Sequence, residues 1–576
     1  MEKKMINLII DNQPVSVPEG TTILDASKKV GIDIPTLCFL KDINEIGDCR
    51  MCIVKVEGRR GFATSCIQKV EEGMIVKTHT PEIIEARHVM LDLIISNHNK
   101  DCLTCSRMGQ CELQTLAAKF GIQRIEFDGK KTEHTVDDLS PSIVREFDKC
   151  ILCRRCVAVC KKIQQVGAID CVGRGFESSV STSYNQSLKD SNCTYCGQCI
   201  QACPTAALHE KQTTDELWMK LKDPDVHVVV QTAPSVRVAL GEEFDMPIGT
   251  NVTGKMVTAL KRLGFDKVFD TNTGADFTIV EEANEFVERL KEDNNMPMMT
   301  SCCPGWVRFL ELHYPEMVPH LSTCKSPHQM LGSLIKTYYA KKEGIDPKNI
   351  YVVSVMPCIA KKYERQRTEM ENDGLFDVDN AITTRELARM IKYANIRFEQ
   401  LEDSEFDNPL GTSTGAAAIF GTTGGVMEAA LRTAQDILTG EDLKHIDFEE
   451  VRGEKGIKKA TVNINNKEIK VAVASGLGNA RKIVEEIKSG KADYQFVEIM
   501  ACPGGCIMGG GQPIKSSQVQ AEVNVRKLRA DCIYSIDEKS TIRKSHESPV
   551  IKNVYGEYLE KPGSELAEKL LHTSSH

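Results

Sequence analysis

Apolar and polar positions alternate along the first 80 residues, as in Met5 to Ile10 and Gln13 to Val17, and this predicts short half-buried strands. A helical stretch is expected over Thr22 to Val30, and a second over Glu82 to Ser96, where apolar residues recur at helical spacing. From about Val226 the pattern becomes alternating strands and helices. Strand-like runs at Val226 to Gln231, Ile350 to Val355 and Gln495 to Met500 each lead into a turn: Ala-Pro-Ser, Pro-Cys and Ala-Cys-Pro. A helical pattern follows the first two turns, so a site is expected at the carboxyl ends of strands. The stretch Glu281 to Arg289 reads as a helix with Glu282, Glu285 and Arg289 on one face, which by pattern alone is a solvated charged face.

At 576 residues the chain is too long for one core. The expected architecture is a multidomain α+β and α/β protein with boundaries at 1–80, 81–130, 131–212 and 213–576. No apolar run reaches the ~20 residues of a membrane helix, and residues 1–20 carry no signal-peptide pattern, so a cytoplasmic protein with no membrane partner is expected. A net charge of −9 without a basic stripe disfavours nucleic acid. Twenty-three cysteines in a reducing compartment point to metal and not to disulfides.

All but Cys171, Cys302, Cys324 and Cys532 fall into groups spaced for iron–sulfur clusters. Cys38, Cys49, Cys52 and Cys66 form the first. Together with the Glu-Gly-Thr-Thr-Ile-Leu-Asp-Ala lead-in they resemble a plant-type [2Fe–2S] ferredoxin, which implies a β-grasp fold. The ten-residue gap from Cys38 to Cys49 departs from the four-residue plant spacing, so the loop is a variant one. His98, Cys102, Cys105 and Cys111 form the second. These donors also suit zinc, but their setting between two cluster modules favours a [4Fe–4S] cluster with one imidazole ligand. The site resembles one in complex I large subunits and iron-only hydrogenases.

The third module is an internal repeat: Cys150, Cys153, Cys156 and Cys160, then Cys193, Cys196, Cys199 and Cys203, each run spaced C-x2-C-x2-C-x3-C. This is the two-cluster bacterial ferredoxin pattern, in which each fourth cysteine serves the other cluster. One [4Fe–4S] cluster is thus expected on Cys150, Cys153, Cys156 and Cys203, the other on Cys193, Cys196, Cys199 and Cys160.

The last group is scattered over Thr300-Ser-Cys-Cys-Pro-Gly-Trp306, Met356-Pro-Cys-Ile-Ala-Lys361 and Glu498-Ile-Met-Ala-Cys-Pro-Gly-Gly-Cys506. These three segments resemble the signature segments of the iron-only, or [FeFe], hydrogenases, most closely the long clostridial monomeric form. The resemblance implies that Cys303, Cys358, Cys502 and Cys506 hold the [4Fe–4S] part of an H-cluster. Cys506 would bridge to a two-iron subsite with CO, cyanide and azadithiolate. It also implies a proton route through Arg289, Glu285, Ser322, Glu282 and Cys302. Lys361 and Ser235 would contact the subsite, and Pro234, Met356, Met500 and Phe420 would line its pocket. The implied cofactors are one [2Fe–2S] cluster, three accessory [4Fe–4S] clusters and the H-cluster. The implied partners are ferredoxin or a similar small carrier and the H-cluster maturation proteins, with the chain a monomer. The implied reaction is reversible proton reduction to H2. Gly504, Gly505 and Gly509 to Gly511 read as room for backbone beside a cluster. His328, Cys324 and Cys532 read as packing residues. Two rival readings are an NADH-dehydrogenase-type electron-input subunit, which the cysteines of residues 300–506 argue against, and a non-catalytic cluster-assembly relative, which the presence of Cys302, Lys361 and the glutamates argues against.

Overall fold

The computed structural model describes residues 4–292, 294–439, 447–464 and 467–573. The N-terminal alternation becomes a hairpin, Met5–Ile10 against Gln13–Pro18, turned through Asp11 and Asn12 in left-handed backbone. Ile6, Leu8, Ile10, Val15 and Val17 point inward. Strands Ile75–Lys77, Ile53–Val56 and Ala63–Thr64 complete a five-stranded mixed sheet. Helix Ile23–Lys29 packs on it, its first turn capped by Thr22, whose hydroxyl accepts from the Asp25 N–H at 3.1 Å.

Helix Pro81–Ser96 starts with a Thr80 cap and proline in its first turn. Its Arg87 donates to the Ile53 carbonyl at 2.6 Å, which fastens the second module to the first. In the third module the cysteine repeat is visible in the backbone itself. Leu152 and Tyr195, each two residues into a run, have positive φ, as do Arg154 and Gly197, each four residues in. A three-stranded antiparallel sheet of Val136–Asp137, Ile143–Glu146 and Leu208–Glu210 closes this module. The buried Arg155 guanidinium spans Glu112 (2.8 and 3.0 Å) and Ser517, so one cation ties the second and third modules to the C-terminal region.

The large region is built on two four-stranded sheets. One runs Lys267–Asp270, His227–Thr232, Ile350–Met356, Asn380–Thr383, all parallel. The other runs Met298–Met299, Phe496–Met500, Lys467–Ser475, Ile457–Ile464, parallel except for its last pair. The parallel strands are buried on both faces, as their continuous Val/Ile runs require. Of the helical patterns expected after the first two turns, the first begins only at Thr253, after a 3-10 turn at Leu240–Phe244, and the second is a single turn at Lys361–Glu364. The Glu281 to Arg289 stretch lies in helix Thr271–Glu292, and it is not a solvated face: Glu281 and Glu282 are buried. No helix among the described residues is long and apolar enough to cross a membrane.

Helix Val525–Lys539 is clamped to the large region by buried charge. Arg432, on helix Gly425–Thr439, bonds Asp537 at 2.9 Å and Glu428 at 2.7 Å, with all three side chains at 0% exposure. Among the described residues, Arg432→Met would leave Glu428 paired with Arg452 and Asp537 with Arg543. We expect it to lower stability by about 3 kcal/mol, read as a drop in the denaturation midpoint of the large region.

Candidate metal centres and active site

None of the 23 cysteines is paired in a disulfide. In the first module the Cys52 and Cys66 sulfurs lie 3.2 Å apart, and the Cys38 N–H donates to the Cys49 sulfur at 3.4 Å. In the second, His98 follows the end of one helix and Cys111 caps the start of the next. Burial lowers the His98 pKa to about 4, so its imidazole is neutral. Its buried Nδ1 has no partner among the described residues. A neutral imidazole with a free lone pair suits a metal.

The third module holds two cavities. Cys150, Cys153, Cys156 and Cys203 line one; Cys160, Cys193, Cys196 and Cys199 line the other. The fourth cysteine of each run thus lines the cavity of the other run. Main-chain N–H groups of Leu152 and Tyr195 donate to the Cys150 and Cys193 sulfurs at 3.5 and 3.4 Å, a contact that stabilises sulfur carrying negative charge.

Where the large region's sheets meet, strand ends converge on one more cavity. Strand His227–Thr232 delivers Pro234 and Ser235, strand Ile350–Met356 delivers Met356 and Cys358, and Phe496–Met500 delivers Met500. Cys302, Cys303, Cys506, Lys361, Phe420 and His328 are also among the lining residues. Cys303 caps helix Pro304–His313 and accepts from the Ala501 N–H at 3.4 Å. Cys502 is buried beside the cavity, near enough to Cys358 and Cys303 for their charges to raise its pKa further above what burial imposes. Soft sulfur donors converging from separate strands fit an iron–sulfur group.

The glycines around this site work differently from the expectation. A side chain on Gly509 would strike the Pro357 carbonyl at 2.2 Å, and one on Gly510 would meet Gly197 and the Cys196 carbonyl at 2.8 Å. They let backbone approach backbone, and Gly510 brings the loop after Cys506 against the loop holding Cys196 and Cys199. The second ferredoxin-like cavity therefore abuts the large one.

Lys361 donates to the Cys302 carbonyl at 3.0 Å and to both Glu364 oxygens at 3.1 and 2.9 Å. Burial alone would lower its pKa, but the charge and hydrogen bonds of Glu364, together with the nearby Cys358 and Cys302 sulfurs, outweigh this and raise it, so the ammonium persists inside the protein. Glu364 also pairs with His328 Nε2, whose Nδ1 lies 3.1 Å from the Ser354 hydroxyl. Burial, then the Lys361 charge, depress His328 to about 4, so it is neutral. His328 is thus part of a polar chain and not simple packing. Glu364 escaped the sequence reading, although its spacing three residues after Lys361 was the available signal.

Away from the cavity, Arg289 bonds Glu285 at 2.6 Å, Ser322 donates to Glu285 at 2.8 Å, and the Thr323 N–H donates to the same carboxylate. Glu282 comes next. Burial first, then the Glu285 charge, raise it to about 8, and the Ser322 hydroxyl offsets this only in part. Burial first holds the Cys302 thiol protonated, and the Glu282 charge adds to this only once that carboxyl has ionised at higher pH. Carboxyl and thiol both keep an exchangeable proton at neutral pH.

Residues 226–510 match the family described as iron only hydrogenase large subunit, C-terminal domain. The chain belongs to the iron-only hydrogenase family. Further matches are a 2Fe-2S binding domain (3–81), the NADH-ubiquinone oxidoreductase-G iron-sulfur binding region (87–126), a 4Fe-4S dicluster domain (149–207) and the iron hydrogenase small subunit (523–576). Iron hydrogenase 1 of Clostridium pasteurianum is 44% identical over 99% of this chain and 99% of its own. The NADP-reducing hydrogenase subunit HndD of Solidesulfovibrio fructosivorans is 50% identical over 99% and 98%. A solved structure of the [FeFe]-hydrogenase HydA1 of Chlamydomonas reinhardtii, 41% identical, covers 63% of this chain and 98% of its own with a TM-score of 0.57. The protein is an oxidoreductase with iron–sulfur cofactors.

A carboxyl whose pKa rises from 4.5 to about 8 on folding supports the fold below pH 4.5 and loses that contribution as pH climbs through 8. Glu282→Gln should therefore match the parent near pH 4.5 and exceed its stability by roughly 2–5 kcal/mol at pH 8 and above, measured as denaturation midpoint against pH.

Proposed function

We propose that this hydrogenase catalyses 2H⁺ + 2e⁻ ⇌ H2 with electrons from reduced ferredoxin, as a cytoplasmic monomer loaded by maturation proteins. The observation that carries the reading is the cavity where Cys302, Cys303, Cys358 and Cys506 meet a charged Lys361 beside a buried, protonated Glu282. Cys303, Cys358, Cys502 and Cys506 would hold the H-cluster, with Cys506 bridging to its two-iron subsite. When bound, that group supplies electrons, an open iron position and a basic amine. Lys361, kept charged beside Glu364, would donate a charge-assisted hydrogen bond to the subsite, and Ser235, on the turn after the neighbouring parallel strand, would make a similar contact. Pro234, Met356, Met500 and Phe420 exclude water.

Protons reach the pocket apart from electrons. Arg289 holds Glu285 at the outer end, Ser322 relays, Glu282 carries the proton through the buried stretch, and Cys302 delivers it. Each of the last two is neutral when loaded, so no unpaired charge need be buried at rest. Cys38, Cys49, Cys52 and Cys66 would hold a [2Fe–2S] cluster and His98, Cys102, Cys105 and Cys111 a [4Fe–4S] cluster at which electrons could enter, and the two ferredoxin-like clusters would pass them on to the active site. The close approach at Gly197 and Gly510 supports the last transfer.

A second electron partner is favoured by one observation, the 50% identity to a subunit of an NADP-reducing hydrogenase. In that reading the chain exchanges electrons with nicotinamide nucleotide through partner subunits. H2 evolution by the purified single chain from reduced ferredoxin separates the two: turnover is expected, and turnover that requires NADPH and added subunits would overturn the ferredoxin reading. For the proton route, Cys302→Ala should retain the infrared bands of iron-bound CO and cyanide yet lose turnover by roughly 10²-fold or more. Full turnover in that variant would refute the role of Cys302.

A further inference from the structure

The sulfur of Cys324 takes no part in the clusters, yet it is buried within 3.8 Å of Glu285 Oε2 and 4.0 Å of His572 Nδ1. These three donor atoms lie within 4.8 Å of one another. The grouping is built by the backbone. Residue 324 forms an antiparallel bridge with residue 572, flanked by main-chain bonds from the Lys325 N–H to the Leu571 carbonyl and from the Thr573 N–H to the Thr323 carbonyl, both 2.8 Å. His572 is set as a ligand would be. Its Nε2 lies 3.2 Å from the Glu281 carboxylate, which the Tyr555 hydroxyl and the Gly563 N–H also hold. A proton on Nε2 leaves Nδ1 as the bare nitrogen on the side of Cys324 and Glu285, where it now accepts from the Thr323 hydroxyl at 2.8 Å. A carboxylate behind an imidazole, fixing its tautomer, is the arrangement that orients metal-binding histidines.

We propose that Glu285, Cys324 and His572 form a binding site for a zinc-type divalent cation that acts as a brake on proton delivery. One sulfur, one nitrogen and one carboxylate oxygen, with a water completing four, is a donor set zinc accepts. Binding releases the Cys324 thiol proton to solvent and replaces it with the metal. Burial, then the negative charges of Glu285 and Glu281, raise that thiol's pKa, and the same charges favour a dication. Glu285 and His572 side chains are each 12% exposed, which leaves the cation a way in from solvent. Occupancy commits the Glu285 carboxylate to the metal and takes it from Ser322. The braking part of the inference rests on the proposed proton route; the binding part does not.

The test uses the fully loaded enzyme, chelator-treated and kept anaerobic, titrated with zinc. Two readouts are taken together: X-ray absorption at the zinc edge, and the ratio of H2 turnover with and without zinc. The expected result is one bound zinc with a single sulfur at about 2.3 Å, and turnover reduced roughly tenfold and restored by chelator, with unchanged CO and cyanide bands. Cys324→Ala should lose the sulfur signal and the zinc sensitivity. Glu281→Gln should keep the sulfur but bind zinc about 10–100-fold more weakly. Zinc without a sulfur neighbour in the parent, or parent-like zinc affinity in both variants, would overturn the site. Zinc bound through Cys324 with unslowed turnover would uphold the site and overturn the route through Glu285.

Discussion

Crowding thiols together in a protein interior is the constraint on which this molecule depends. Burial pushes Cys150, Cys193 and Cys506 up to about 12 and Cys196 up to about 11, and neighbouring sulfurs add to the penalty. Sulfurs so placed carry negative charge only when iron offsets it, so folding and cluster loading are coupled. The two-cluster module shows this most plainly. Its regular structure is a few short strands and single helical turns, too little for a core of its own, and its cavities are walled by the very cysteines that would hold the metal.

The same constraint accounts for how the modules meet. Clusters exchange electrons only at short range, so the segments that hold them must touch, and the chain achieves this by omitting side chains. Gly197 and Gly510 pack backbone on backbone at the boundary between the ferredoxin-like module and the large region. Buried cations do the complementary work: Arg155 joins three parts of the chain, and Arg432 and Arg529 fix the C-terminal helix to the large region. In the proposed mechanism protons travel by a separate set of groups from Arg289 to Cys302. Charge of opposite sign thus converges on the pocket from two sides.

What was legible in the sequence is what local spacing dictates. Strand alternation at Met5–Ile10, the capped helix from Ile23, the parallel strands ending in Pro-Cys and Ala-Cys-Pro turns, and the compact cysteine runs are all set by neighbours a few residues apart. The face of Glu282, Glu285 and Arg289 was legible as geometry but not as environment. Its burial comes from the 321–323 loop and the C-terminal segments packed on that helix, and no helical periodicity encodes them. His328 and Cys324 read as filler because their partners Glu364, Ser354 and His572 are distant in the chain, the last by 248 residues. The glycines after Cys506 were visible, but their purpose depends on which backbone lies opposite, and that is a property of the assembled fold.

The central claim is that thiolates from distant strands converge to seat an organometallic iron group fed by four accessory clusters. Quantifying iron and acid-labile sulfide in the anaerobically matured protein, with Mössbauer spectroscopy to sort the iron by cluster type, tests it most directly. The account predicts about twenty iron atoms per chain, among them two low-spin irons of the subsite. Far fewer iron atoms, or spectra accounted for wholly by [2Fe–2S] and [4Fe–4S] clusters in fully matured protein, would contradict it.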